Sequence, residues 1–148
     1  MGLMSSAGTS IAGVEFVEHG GRRMAHVIRA TARVPISTFF SDANESFQVG
    51  LLAHEAGFVE EPHSHPAVER RINDLQQFVV VQRGRLEVIF HDDAGRRLSS
   101  VELGVGDAIV LMHGVHSVRV IEDMQCLSVK QGPFLGAALD KVPARAPR

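Results

Sequence analysis

The chain contains no tryptophan and no tyrosine. A phenol to act as acid or base is therefore missing, as is a large polar-edged ring to stack on a nucleotide base. Cysteine is nearly absent as well: Cys126 stands alone, which excludes an intrachain disulfide, and its place in the strand-like run MQCLSV points to a buried, inert thiol. No apolar run approaches the roughly 20 residues that a spanning helix needs, so no membrane partner is expected. Charge of one sign is scarce too. A net charge of -2 and a pI near 6.4 provide no general attraction for nucleic acid, and the pairs Arg22/Arg23, Arg70/Arg71 and Arg96/Arg97 are scattered and mostly sit beside acids. Neither a GxSxG nucleophile motif nor a GxxxxGK phosphate loop occurs. The start MGLMSSAGTSIAGVEF has no basic opening, and glycine and serine interrupt its apolar residues, so a cytoplasmic protein is expected rather than a secreted one. Its Gly2 and Ser6 fit a short myristoylation pattern, but a flexible leader is the plainer reading.

What is present reads as one β domain. A chain of 148 residues is long enough to bury about 70% of its unfolded surface in a single domain. Turn signals recur at Gly20/Gly21, Gly57, Arg83/Gly84, Asp93 to Gly95, Gly104/Gly106 and Glu122/Asp123. Between them lie FQVGLLAHE, LQQFVVVQ, RLEVIFH, RLSSVEL, DAIVLM, HSVRVI and MQCLSVK, with no helical period of useful length. An all-β sandwich or barrel follows. RLEVIF alternates strictly, with Leu86, Val88 and Phe90 on one face, and DDAG connects it to RLSSVEL as a hairpin. The expected organisation is a flexible leader over 1–12, a β-barrel over 13–140 and a flexible tail over 141–148. Apolar residues in RRMAHVIRA look exposed, as at a sheet edge, and predict a homodimer.

Chemistry concentrates in GFVEEPHSHPAVERRINDLQQFVVVQRG, positions 57–84. Pro62 and Pro66 push the residues before them into extended conformations, and side chains two apart on an extended chain project to one side. His63 and His65 therefore converge, which suits a metal ion; two solvated surface histidines are the alternative.

This pattern resembles the first motif of the cupin superfamily: a glycine (Gly57), five residues, an HxH pair (His63, His65), a carboxylate position, six residues and a glycine (Gly84). The second cupin motif is echoed by GDAIVLMHGVHSV, with Gly106, Gly114 and His116. The likeness covers roughly positions 47–130, and a narrower one to small cupins of surface-polysaccharide assembly rests on HSHP, QFVVVQRGRLEVIF and HDDAG. It implies a single-domain double-stranded β-helix, or jelly-roll barrel, with a divalent metal (zinc, iron, nickel or manganese) on His63, His65, His116 and a fourth ligand. Where the family has glutamate this chain has Gln77, and eleven residues rather than three or four separate it from His65. Glu69 keeps the usual distance from the histidines and Gln77 from the glycine; Gln77 is preferred, because Gln77, Val79 and Val81 share a strand face. The second motif has lost its proline and runs one residue short.

The remaining histidines and the insertion PAVERRINDLQ complete the expectation. His54, Glu69 and His113 are the candidates for acid or base work; His91, opening HDDAG, should be exposed; His19 and His26 have no evident partners. Lys130 could meet an anion at the rim, though a surface lysine is the simpler reading. Arg70 and Arg71 in the insertion suit a carboxylate or phosphate, so the expected ligand is small, polar and anionic, such as a sugar acid. Without tyrosine or tryptophan, a close copy of the cupin sugar isomerases and epimerases is excluded. Two classes stay open: a metal-dependent enzyme, isomerase-like or dioxygenase-like, and a non-catalytic small-molecule binder.

Overall fold

A computed structural model describes residues 10–144. The leader's Gly2 and Ser6 and the last four tail residues lie outside that range. The described residues divide into two compact units, one built from Arg33–Asp74 with residues 10–12, the other from Gly13–Ala32 and residues 75–144.

After β1 (Val14–His19) and β2 (Arg22–Ile28) of the other unit, the first unit contributes β3 (Thr38–Phe39), which pairs antiparallel with β4 (Gly50–Leu51). Gly50 is required there, since a Cβ would stand 2.7 Å from the Thr38 carbonyl oxygen. The Gln48 amide closes the intervening loop by donating to the carbonyls of Asp42 and Glu45, both at 3.0 Å. Of the expected strand FQVGLLAHE only Gly50–Leu51 forms, because β3 offers just two residues to pair with. Residues 52–74 then run exposed for most of their length and without regular structure.

The second unit is a curled, six-stranded antiparallel sheet of β1 (Val14–His19), β2 (Arg22–Ile28), β5 (Gln77–His91), β6 (Arg97–Leu103), β7 (Ala108–Leu111) and β8 (Val115–Lys130). A four-residue helix, α1 (Ala137–Asp140), follows. The sheet order is β1-β2-β7-β5-β6, with β8 running along the other side of β5. RRMAHVIRA is therefore not an edge. As β2 it is paired by β1 and β7, and Met24, Ala25, His26 and Val27 are buried, so the expectation of a sheet edge at this strand is corrected. LQQFVVVQ and RLEVIFH fuse into β5, and HSVRVI and MQCLSVK into β8, each ladder shifting register around Gly84 instead of ending there. Val81, Leu86, Val88 and Phe90 line one face of β5 and form the core with Leu103, Ile109, Leu111 and Val27. Burying a side chain of that kind contributes about 2 kcal/mol.

The turn before β7 is clasped by Asp107. Its carboxylate accepts from the Ala30 N–H at 2.8 Å, the Gly104 N–H at 3.1 Å and the Arg29 guanidinium at 3.2 Å. Burial alone would raise its pKa; the two backbone donors and Arg29 outweigh it and hold the carboxyl below its usual range. Asp107→Ala leaves these donors without their acceptor, so urea unfolding should show a loss of about 2–3 kcal/mol. An unchanged midpoint would remove the clasp from the account.

Candidate functional site

Around the paired histidines the chain forms neither a hydrogen-bonded strand nor a helix. The rings of His63 and His65 lie 5.2 Å apart between centroids, edge to face, and both residues are exposed. His63 Nδ1 stands 3.0 Å from the Glu61 carbonyl oxygen. A carbonyl only accepts, so Nδ1 carries the proton and Nε2 keeps its lone pair for a ligand. This is the outer hydrogen bond that commonly orients a metal-binding imidazole. His54 lies outside any strand, stacked on Phe58 with ring centroids 4.0 Å apart.

In the second unit, Gln77 opens β5 opposite Leu111 and Lys130. It shares a face with Val79 and Val81, both packed in the core, as the strand pattern predicted. Its Nε2 donates to Ser128 Oγ at 2.8 Å, which leaves Oε1 as the ligand-capable atom. His116 pairs with Phe90 at the far end of the same ladder, on the side of the sheet that Phe90 faces, and is itself exposed. Desolvation of its ring, with Lys141 and His91 nearby, pushes its pKa down, so the imidazole is neutral at neutral pH. His113 follows β7, and its Nδ1 accepts from Arg22 at 3.1 Å.

Several expected roles go elsewhere. Glu69 is bound by Arg71 at 2.8 Å on the surface, so it has a partner already and Arg71 has its charge matched. Arg70 donates to the Val68 carbonyl, and the anion expectation rests on it alone. Lys130 is paired with Asp140 of α1 at 3.0 Å. His26 is fully buried, its ring edge-on to Phe16. Cys126 is half-buried beside Met124, and desolvation raises its pKa, in keeping with an unreactive thiol.

Two features were missed from sequence. Glu87, with 5% of its surface exposed, lies between Arg97 on β6 (2.7 Å) and Arg119 on β8 (2.8 Å). The Ser100 hydroxyl and Arg119, then Arg97, hold its carboxyl down to about 2 against the opposing effect of desolvation. Alternation in RLEVIF places Glu87 away from the core, but its partners become visible only once the strand register is known. His91 is the second, and its expected exposure is corrected: it is half-buried, with Nδ1 at 3.1 Å from the Gly95 carbonyl and Nε2 at 2.8 Å from Ser117 Oγ. Between β1 and β6 an open groove of about 730 Å³ is lined by Glu15, Glu18, Arg29, Ser99, Ser100 and Glu102, among others. Among the described residues no helix is long and apolar enough to cross a membrane.

No protein family, no curated protein and no solved structure matches the chain.

Proposed function

We propose that this all-β protein is a divalent-metal binder of cupin type, whose ion is taken up by His63 and His65 and in turn engages a small, polar, anionic ligand. The observation that carries the reading is the close approach of the two imidazoles, 5.2 Å between centroids on a proline-bounded segment, with His63 Nδ1 turned to the Glu61 carbonyl and Nε2 left open. Gln77 Oε1 and the His116 imidazole are donors of the kind the cupin likeness calls for, but they stand at opposite ends of the β5–β8 ladder, so at most one of them completes the set around a single ion. An amide in place of a carboxylate leaves a divalent ion with its full charge. Affinity for the ion falls, while its pull on a ligand oxygen rises. Imidazole and amide donors fit zinc, iron, nickel or manganese.

Binding is favoured over turnover as the primary activity, because Glu69 is engaged by Arg71 and His54 is stacked on Phe58, which occupies two of the three acid–base candidates. Calorimetric titration of tag-free, metal-stripped protein with zinc tests the reading. His63→Ala and His65→Ala should each weaken binding by at least about tenfold, the scale of a lost metal-site interaction. Glu69→Gln should leave it unchanged. Wild-type affinity in both histidine variants would refute the assignment.

A further inference from the structure

Ser117 and His91 meet on the sheet face opposite the core. The β5–β8 register pairs Ile89 with Ser117 and His91 with Val115, so serine and histidine are diagonal neighbours on one side of the ladder. Ser117 Oγ lies 2.8 Å from His91 Nε2, and His91 Nδ1 lies 3.1 Å from the Gly95 carbonyl oxygen. These two contacts fix the proton positions. The carbonyl can only accept, so Nδ1 donates to it; in the neutral ring Nε2 is then bare and accepts from the Ser117 hydroxyl. A serine hydroxyl is thus aimed at a basic imidazole nitrogen, with a third group orienting the ring. That is the arrangement an activated nucleophile requires.

The orienting carbonyl is itself rigidly placed. Gly95 sits at φ 84 in the β5–β6 hairpin, its N–H donating to the Asp92 carbonyl at 2.9 Å, while the Asp92 N–H donates to the Arg96 carbonyl at 2.9 Å. The Asp92 carboxylate is occupied by the backbone N–H groups of Ala94 and Arg96 and by the Arg96 guanidinium. It does not compete for the imidazole. Ser117 is exposed, and Arg119, two residues along on the same face, is held on Glu87 with its remaining surface open to solvent. The face therefore offers a nucleophile, its base and a fixed positive charge, without an enclosing cavity.

We propose that Ser117 and His91 form a hydrolytic pair acting on small carboxylic esters. In the first step His91 Nε2 takes the hydroxyl proton as Ser117 Oγ bonds to the ester carbonyl carbon, and the carbonyl oxygen becomes negative on the face that carries Arg119. The carbon–oxygen bond to the alcohol then breaks, and the leaving alkoxide takes the proton from His91. Water attacks the acyl-serine with His91 again as base, releasing the carboxylic acid and restoring Ser117. Ester and water give acid and alcohol, with no other reactant.

The test uses the full chain in the presence of a chelator, with a fluorophosphonate probe, which phosphonylates an activated serine with loss of fluoride, and with p-nitrophenyl acetate. Peptide mapping should place the phosphonyl group on Ser117, in preference to the similarly exposed Ser100, whose hydroxyl is bound by Arg97 and has no imidazole. Ser117→Ala should abolish both that adduct and the release of nitrophenolate. Removing a general base costs at least about 100-fold, so His91→Gln should slow labelling by that factor, and His91→Asn, whose amide can still donate to Gly95, should do the same if His91→Gln does not fold. His63→Ala, His65→Ala protein should label at the wild-type rate, which separates this pair from the metal reading. Adducts spread evenly over Ser99, Ser100 and Ser117, unchanged labelling in a folded His91 variant, or loss of labelling in the His63/His65 variant would overturn the proposal.

Discussion

Gly84→Ala should unfold at a temperature lower by about 10 °C or more, the largest loss expected from adding a methyl group at any glycine among the described residues. The glycine sits at φ 75, where β5 bends and β8 passes over it. A Cβ there would stand 2.1 Å from the Asp123 carbonyl oxygen and 2.9 Å from that of Glu122. Both obstacles are backbone, which cannot rotate away as a side chain would. The unfavourable φ costs about 1–3 kcal/mol and the overlap a similar amount. Two comparisons separate the terms by differential scanning calorimetry. Gly20→Ala has φ 58 but open space, so it should show the conformational cost alone; Gly104→Ala has neither problem and should be nearly silent. Equal melting temperatures for Gly84→Ala and Gly104→Ala would mean that the two long strands do not cross as described.

Glu87→Gln should flatten the acid limb of the stability curve. The wild-type carboxyl titrates at about 2 in the folded chain against 4.5 for the ordinary group. Because the folded value is the lower one, the native state holds the ionised form more tightly than the unfolded chain does. Its contribution is complete above about 4.5 and is lost as the pH falls through about 2. The glutamine variant lacks that term. At neutral pH it should also be less stable than wild type, since Arg97 and Arg119 lose the charge that holds both of them over the sheet. Denaturant midpoints at several pH values between 2 and 7 test this. Parallel curves for the two proteins would contradict the clamp.

Much of this architecture can be read in the sequence, for a simple reason. Leu86, Val88 and Phe90 alternate with Arg85, Glu87 and Ile89, and a period of two specifies a face without any knowledge of partners. The same reasoning put Gln77 with Val79 and Val81, and brought His63 and His65 together. It failed where local signals have two outcomes. Gly84 and Glu122/Asp123 look like strand ends, yet each marks a bend across which hydrogen bonding resumes in shifted register. RRMAHVIRA looked like an edge because its apolar residues seemed exposed; β1 is the other arm of its own hairpin, but β7, which covers its second side, is supplied by distant sequence. The partners of Glu87 and His91 belong to that second class. Cross-strand pairs depend on register, and register depends on the fold.

Metal content of tag-free protein, wild type against the His63→Ala, His65→Ala double variant, bears most directly on the reading of this chain as a metal binder. Elemental analysis should find stoichiometric divalent metal in the wild type and none in the variant, with the same β-type circular dichroism from both. Full metal in a folded double variant would contradict the account, because the convergence of those two imidazoles is the observation on which it rests.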